Sequence, residues 1–242
     1  MSATNEIIYM TLQKENYNYW QFLGNVMHEL REPLHAVGGF VYLLRHDDQL
    51  PELADDERSD LLQRSDDCLE RVQQAVSIVL NLSYYAMKQE MELKDQVHVN
   101  SFCRELVKEQ TCEVRFGSDV ADDLAITTNE QCLSMVIGLL VKQAVARVCR
   151  TDAPMREPLV SLVVTQRGER GKLTFSVTDN GRREAVGDLQ QLFFLPAEKE
   201  AAHTLERTEF LLCCRLVELL DGFLYIEPEF KDGRRVVFQV AL

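Results

Sequence analysis

The sequence lacks the features that mark nucleic-acid-binding and membrane proteins. Its 26 lysines and arginines are outnumbered by 39 aspartates and glutamates, and a net charge of −13 leaves no basic face for a phosphate backbone. The longest apolar run, 132–141, is far shorter than the roughly 20 residues that a spanning helix needs. The start of the chain has no signal-peptide pattern. We therefore expect a cytoplasmic protein that contacts neither nucleic acid nor membrane.

The chain also lacks paired cysteines and a phosphate-binding loop. Its seven cysteines form no Cys-x-x-Cys pair, which argues against a zinc site or a disulfide framework. Cys213 and Cys214 are adjacent, and neighbouring positions on a helix point about 100° apart, so we expect them to pack in a core. No Gly-x-x-x-x-Gly-Lys-Ser/Thr sequence is present. No metal site is predicted.

The most informative stretch is 22–35, Phe-Leu-Gly-Asn-Val-Met-His-Glu-Leu-Arg-Glu-Pro-Leu-His. Around it, apolar residues recur at steps of three and four, as on one face of a helix. They are Leu23, Val26, Leu30, Leu34, Val37, Val41 and Leu44. His28 lies two residues from both Val26 and Leu30, which places it on the opposite, solvent-facing side. An exposed imidazole beside the Glu29 carboxylate is a competent nucleophile near neutral pH.

Two simpler interpretations of His28 compete with this one. His-Glu also begins the zinc-protease pattern His-Glu-x-x-His, but the second ligand position is Glu32, and Pro33 is expected to interrupt the helix there. Alternatively, His28 is an ordinary solvated surface histidine.

A second long helix is predicted from about residue 56 to about residue 92. Its seam steps by three and four without a break. The seam residues are Leu62, Ser65, Leu69, Val72, Val76, Val79, Ser83 and Ala86. A helix of this length, about 50 Å at about 1.5 Å per residue, favours a hairpin that pairs with a second copy in a four-helix bundle. The alternative is a hairpin packed on the rest of its own chain.

The remaining sequence alternates strands and helices. Strands are predicted at 97–101, 112–116, 124–126, 159–165, 173–177, 223–226 and 235–240, and helices at 102–109, 129–148 and 204–220. Helices on one face of a mixed sheet form an α/β sandwich, so the fold class is α+β. We expect two domains, a helical hairpin over 1–94 and the sandwich over 95–242.

The stretch 22–35 resembles the phosphoacceptor segment of two-component sensor histidine kinases. The matching residues are Phe22, Asn25, His28, Glu29, Leu30, Arg31, Pro33, Leu34, Gly39, Phe40 and Leu44. The resemblance implies that His28 carries the phosphoryl group, with Glu29 as its acid-base partner. It also implies that the hairpin forms a homodimer, that the partner is a response-regulator receiver domain, and that the sandwich is of the ATP-binding type. Arg31 is placed to neutralise the transferred charge.

The nucleotide-binding motifs of that family are degraded here. Leu139 and Gln143 stand where the family has asparagines that ligate magnesium. Asp179 and Gly181 match its Asp-x-Gly-x-Gly turn, but Arg183 occupies the second glycine position of that turn. The family also has a flexible Gly-x-Gly loop before its last helix, and the two glycine positions of that loop are Arg207 and Glu209 here. Asp179, Gly181 and Gln143 are therefore interpreted as a vestigial ATP site, and binding of ATP and magnesium is expected to be lost.

An intact acceptor beside a degraded nucleotide site favours a histidine phosphotransferase or pseudokinase that relays a phosphoryl group through His28. Three alternatives remain. They are a working kinase with a divergent nucleotide site, a non-catalytic interaction protein, and a receiver phosphatase. The last is disfavoured by Glu32, where phosphatase-competent relatives usually carry Thr or Asn.

Overall fold

The computed structural model describes residues 31, 33–43, 55–108, 110, 113–149, 157, 159–166, 171–182, 189, 192 and 204–241. The predicted acceptor His28 and its neighbour Glu29 lie outside these residues, as does Arg183. Arg31 is helical, and so are the residues from Pro33 onward. Residue 32 lies outside the described residues, so the predicted interruption of the helix at Pro33 stays a prediction.

The described part of the chain begins with helices and continues as alternating strands and helices. The helices are α1 (Pro33–Leu43), α2 (Asp55–Ala86), α3 (Val99–Lys108), α4 (Glu130–Cys149) and α5 (Thr204–Leu219). The strands are β1 (Asp95–His98), β2 (Val114–Ser118), β3 (Ala125–Thr128), β4 (Val160–Thr165), β5 (Lys172–Asp179), β6 (Phe223–Ile226) and β7 (Arg234–Ala241).

Five of these strands form a mixed sheet in the order β2-β4-β5-β7-β6. Only the β2–β4 pair is parallel, while β4–β5, β5–β7 and β6–β7 are antiparallel. Strands β1 and β3 form a separate antiparallel pair. Alternate residues of β5 face the core, where the rings of Phe175 and Phe238 stack with centroids 4.7 Å apart. The α+β class and the sandwich layout are confirmed.

Helix α4 is the core helix of the sandwich. By length and composition alone it could cross a membrane, and it is the one helix of that kind in the part of the chain described above. Its side chains are nevertheless packed inside the protein, with Leu133, Val136 and Ile137 fully buried. Asn129 caps its first turn, since its Oδ1 accepts a hydrogen bond from the Cys132 amide at 3.0 Å. A core position explains its apolar composition.

Helix α5 ends as the sequence predicts, at an Asp-Gly pair. The Gly222 amide donates to the Val217 carbonyl at 2.9 Å, and the Asp221 amide to Glu218 at 3.1 Å, which is a Schellman ending. Asp221 takes the left-handed conformation with φ of 55°. Gly222 is required for a different reason, because a Cβ there would lie 1.9 Å from the Gln239 carbonyl oxygen. Cys213 and Cys214 in this helix are buried, as expected.

Helix α2 has two apolar faces rather than the single predicted seam. Large side chains at Leu62, Leu69 and Val76 are exposed, at 49%, 41% and 39%. The opposite face, which carries Ala75, Ile78, Leu82 and Tyr85, is buried. Ile78, Leu82 and Tyr85 belong to the core cluster that includes α4 and α5. The second half of α2 therefore packs on the α/β part of its own chain, which is the alternative the sequence left open.

Several predicted boundaries are wrong, and the structure gives a physical reason for two of them. Helix α2 ends at Ala86 instead of residue 92, because the Arg215 guanidinium binds the carbonyl oxygens of Tyr85 and Lys88 and so satisfies groups that a longer helix would use. The strand predicted at 97–101 stops at His98. Its last residues start α3 instead, where the buried Asn100 side chain donates to the Ala121 carbonyl at 3.1 Å.

Candidate functional site

The described part of the phosphoacceptor segment is helical and accessible. Arg31 and His35 are exposed, whereas Pro33 is buried. Arg31 follows His28 by three residues in the sequence, a spacing that puts two side chains on the same side of a helix. The structure thus places one of the three predicted catalytic residues, and the roles of His28 and Glu29 stay predictions.

Gln143 lies in α4 at the position where the family has a magnesium-binding asparagine. Its side chain is buried, and its Nε2 donates two hydrogen bonds, to the Glu206 carbonyl at 3.1 Å and to Glu209 Oε2 at 2.9 Å. Leu139, one turn earlier, packs against the hydrophobic core. The side chains at both family asparagine positions therefore contact other residues of the protein.

Glu209 is the centre of this arrangement. Its other carboxylate oxygen, Oε1, accepts a hydrogen bond from Gln74 Nε2 of α2 at 2.7 Å. Burial raises the pKa of Glu209 above its ordinary value, and the hydrogen bonds from Gln143 and Gln74 oppose that shift. The carboxylate is thus bound by two neutral amides in a poorly solvated position.

Asp179 ends β5 and is likewise occupied. Its Oδ2 accepts from Arg147 Nε at 3.1 Å, and its Oδ1 accepts from the Gly181 amide at 2.9 Å. Burial raises the pKa of Asp179 even though the Arg147 guanidinium lowers it, because the side chain is only 3% exposed. The carboxylate depends on these partners for solvation.

Gly181 is required by the protein itself. A Cβ at this position would lie 2.9 Å from Asp179 Oδ1 and 3.5 Å from the Arg147 Cβ. Any larger residue would push the turn away from the Arg147–Asp179 pair. The match to the family's glycine therefore has a packing reason that involves no ligand.

A second buried ion pair adjoins the first. Arg234 of β7 lies opposite Asp179 in the β5–β7 register, and its Nη1 binds Glu206 Oε1 at 2.8 Å. Arg234 is 3% exposed. The Glu206 carbonyl also accepts a hydrogen bond from Gln143. This bond joins the ion pairs to the contacts of Glu209 with Gln74 and Gln143. Together they form one polar cluster between α2, α4, α5 and the sheet.

The loop that the family uses near its last helix is helical here. Arg207 and Glu209, at its glycine positions, both lie within α5 and are buried, at 8% and 5% exposure. Neither residue takes a positive φ angle, consistent with the absence of glycine. A regular helix thus brings Glu209 to Gln143.

Sequence reasoning named Gln143, Asp179, Gly181 and Glu209 but missed Arg147, Gln74 and Arg234, which contact them or their neighbours. Arg147 follows Gln143 by one helical turn, so a shared face with Gln143 was readable from the spacing. Gln74 and Arg234 gave no such signal, because their positions depend on how α2 and β7 are placed in three dimensions. Among the described residues no group of His, Cys, Asp and Glu is arranged to hold a metal ion.

Comparisons with known proteins agree with this fold. Residues 21–85 match the His Kinase A (phospho-acceptor) domain family. None of the curated protein sequences matches the chain. Histidine kinase AdeS of Acinetobacter baumannii is 13% identical with a TM-score of 0.64, over 88% of this chain and 97% of that one.

Two further solved structures are similar over most of this chain. ThkA, in complex with the response regulator protein TrrA, is 16% identical with a TM-score of 0.64, over 91% of this chain and 61% of that one. Full-length ShkA, in complex with AMPPNP, is 18% identical with a TM-score of 0.58, over 91% of this chain and 45% of that one. Residues 21–85 therefore match the phospho-acceptor domain family, and the fold of the chain is shared with these histidine kinases.

Proposed function

We propose that the protein is a histidine phosphotransferase, a pseudokinase that relays a phosphoryl group through His28 to and from aspartates of receiver domains. The observation that carries this proposal is that the side chains at the family's nucleotide positions are bound by other side chains of the protein. Glu209 is held by Gln143, and Asp179 is held by Arg147. The acceptor segment lies within the phospho-acceptor match at 21–85.

The residues present do not fit ATP and magnesium bound as in the family. The Gln143 amide presents its N–H donors toward Glu209, so its metal-binding oxygen is not what faces the site. A buried carboxylate at Glu209 repels phosphate oxygens. Asp179, which would pair with adenine, already accepts from Arg147 and Gly181. A phosphorylated receiver is therefore the proposed phosphoryl donor.

The proposed step exchanges one bond at phosphorus for another. An imidazole nitrogen of His28 attacks the phosphorus of an aspartyl phosphate, a P–N bond forms, and the P–O bond to the aspartate breaks to leave its carboxylate. Glu29 accepts a hydrogen bond from the second ring nitrogen and stabilises the imidazolium that forms. Arg31, which is exposed and follows His28 by three residues in the sequence, offsets negative charge on the transferred phosphoryl group. The reverse step phosphorylates a receiver.

A homodimer and a receiver are the proposed partners. Leu62, Leu69 and Val76 are exposed at intervals of seven residues on α2, which is the spacing of a helical bundle seam. A second copy would cover this face. The structure of ThkA with the response regulator protein TrrA supports a receiver as the second partner.

The decisive test is phosphotransfer from a receiver carrying a radiolabelled aspartyl phosphate. The wild type is expected to gain label that survives base and is lost in acid, as a phosphoramidate requires. His28→Ala should gain none, while His35→Ala, which changes an exposed histidine of the same segment, should behave as wild type. No transfer from any cognate receiver would overturn the proposal.

A titration with magnesium and ATP separates the nearest alternatives. No binding is expected. ATP binding accompanied by labelling of His28 would instead identify a working kinase. Receiver binding without transfer, equal in the wild type and in His28→Gln, would identify a non-catalytic interaction protein.

A further inference from the structure

The segment 87–94, here called the joint, connects helix α2 to strand β1. It is not helical, and α2 ends directly before it at Ala86. We propose that the joint is a conformational switch with two forms. In one form it is non-helical and the α/β part packs on α2. In the other it continues α2 as a helix, and the α/β part is released from that helix. This inference does not depend on phosphotransfer, because it concerns only the joint and the placement of the α/β part.

The sequence of the joint favours a helix. It reads Met-Lys-Gln-Glu-Met-Glu-Leu-Lys, and every residue type in it belongs to the group with the highest helix propensity after alanine. It contains no glycine, no proline and no β-branched residue. In a helix, Lys88 would lie one turn from Glu92, and Glu90 one turn from Lys94, which adds two favourable charge pairs. The local sequence therefore favours a longer α2 than the structure has.

An arginine of the α/β part holds the start of the joint in its non-helical form. Arg215 of α5 donates to the Tyr85 carbonyl at 3.2 Å and also binds the Lys88 carbonyl. In a longer α2 these two carbonyls would accept hydrogen bonds from the amides of Gln89 and Glu92. Arg215 therefore occupies the acceptors that the next turn of the helix requires.

The far end of the joint is held by the start of α4. Asn129 Nδ2 donates to the Glu92 carbonyl at 3.3 Å, and the sulfur atoms of Met91 and Cys132 lie 3.9 Å apart. Met91 and Leu93 also pack against the hydrophobic core. Contacts with the α/β part thus oppose the local preference of the joint. A segment in which these two influences conflict has two arrangements, and its contacts select between them.

A helical joint is incompatible with the packing of the α/β part on α2. Ile78, Leu82 and Tyr85 of α2 are buried in the core cluster that includes α4 and α5, so the chain has to turn back after Ala86. Continuing the helix through 87–94 would lengthen α2 by about 12 Å, at about 1.5 Å per residue. Strand β1, which begins at Asp95, would then start beyond the end of that buried face. The helical form therefore releases the α/β part from α2.

Amide hydrogen exchange distinguishes the two forms, because the amides of a helix are hydrogen-bonded and exchange slowly. The test variant combines Arg215→Met with Asn129→Asp in the full chain. Methionine keeps an apolar stem at position 215. Aspartate keeps the oxygen that caps α4 and lacks the amide donor to Glu92. Exchange in peptides that span 89–94 is expected to be fast in the wild type and at least about threefold slower in the variant.

Two controls accompany this variant. Arg64→Met, at an exposed position on α2, removes an arginine that does not contact the joint and should leave the exchange as in the wild type. Adding Glu90→Gly to the test variant should restore fast exchange, because glycine disfavours a helix. This reversal ties the slower exchange to helix formation within the joint.

Exchange in 89–94 that is unchanged or faster in the test variant would overturn the switch, because a joint that only loosens gains no protection. Protection of β5 and β7 is read from the same data and shows whether the variant is folded. If the double variant loses that protection, Arg215→Met alone decides by the same criterion. Loss of sheet protection in Arg215→Met as well would also overturn the switch, since Arg215 would then be needed for the fold itself.

Discussion

The acceptor segment and the nucleotide region of this chain have diverged to very different extents. In 22–35 the family residues His28, Glu29 and Arg31 are retained in register. In the α/β part Asp179 and Gly181 are retained, but each now has a reason within the protein. Asp179 pairs with Arg147, and Gly181 leaves room for that pair. A retained motif residue in such a fold can therefore be explained by packing within the protein, and its presence alone does not indicate that a nucleotide binds.

The largest expected contrast is between His28→Ala and Asp179→Asn in transfer from a phosphorylated receiver. His28→Ala should lower the rate by more than about a hundredfold, since the nucleophile is gone. Asp179→Asn should leave the rate within about twofold, because the remaining carbonyl oxygen still accepts from Arg147 or Gly181. A single-turnover assay with the folded proteins checks both. An Asp179→Asn variant that folds but no longer transfers would show that the two regions still cooperate.

The elements of the α/β part were largely predictable because each carries its own local signal. Strand β6 was predicted with its observed ends, and α4 and α5 to within one residue of theirs, from alternation and from the signals at helix ends. The predicted class and sandwich layout are confirmed, and the division into domains at residue 94 remains a prediction. These helices and strands were predictable because each buries one face against the core, which leaves a regular pattern of apolar residues in the sequence.

The candidate site was less predictable. The loss of glycine at Arg207 and Glu209 was visible in the sequence, and both residues lie within helix α5. What replaces the loop was not visible, because the Gln74–Glu209 contact joins residues that are distant along the chain. The buried face of α2, with Ile78, Leu82 and Tyr85, was not predicted for the same reason, since spacing alone does not say which partner each face meets.

The next contrast is between these two faces of α2. Leu82 is 3% exposed and Leu69 is 41% exposed. Leu82→Ala should lower the free energy of unfolding by about 2–5 kcal/mol, because it leaves a cavity in the shared core. Urea unfolding followed by circular dichroism checks this value, at two protein concentrations so that any effect of association is visible.

Leu69→Asp tests the exposed face. It should leave the fold intact and convert the proposed dimer to a monomer, because a charge would be buried in the seam. Light scattering after size-exclusion chromatography gives the mass, with Glu70→Asp as the control at the adjacent exposed position. A monomeric wild type at micromolar concentration, or a Leu69→Asp protein that stays dimeric, would show that the exposed face of α2 is not a dimer interface.

The smallest expected effect is a pH dependence at Glu209. Burial raises the pKa of Glu209 above its ordinary 4.5, so the folded protein binds a proton that the unfolded chain has already lost. Its contribution to stability is therefore complete below about pH 4.5 and is lost as the pH rises through the folded-state pKa.

The variant Glu209→Gln removes this titration. Asp179, whose pKa is also raised by burial, is present in both proteins, so its contribution cancels in the difference. The variant should thus gain stability relative to the wild type as the pH rises from 4.5 toward neutrality. Part of that gain is offset by the Gln74 amide, which must turn to present its oxygen to the new N–H donor. Urea midpoints across this range measure the difference, and Glu70→Gln, at an exposed position, should show none. The prediction is contradicted by a stability difference that does not change with pH, or by a wild type that gains stability relative to the variant as the pH rises. Either result would mean that the Glu209 carboxylate is solvated and that this region is not closed to solvent.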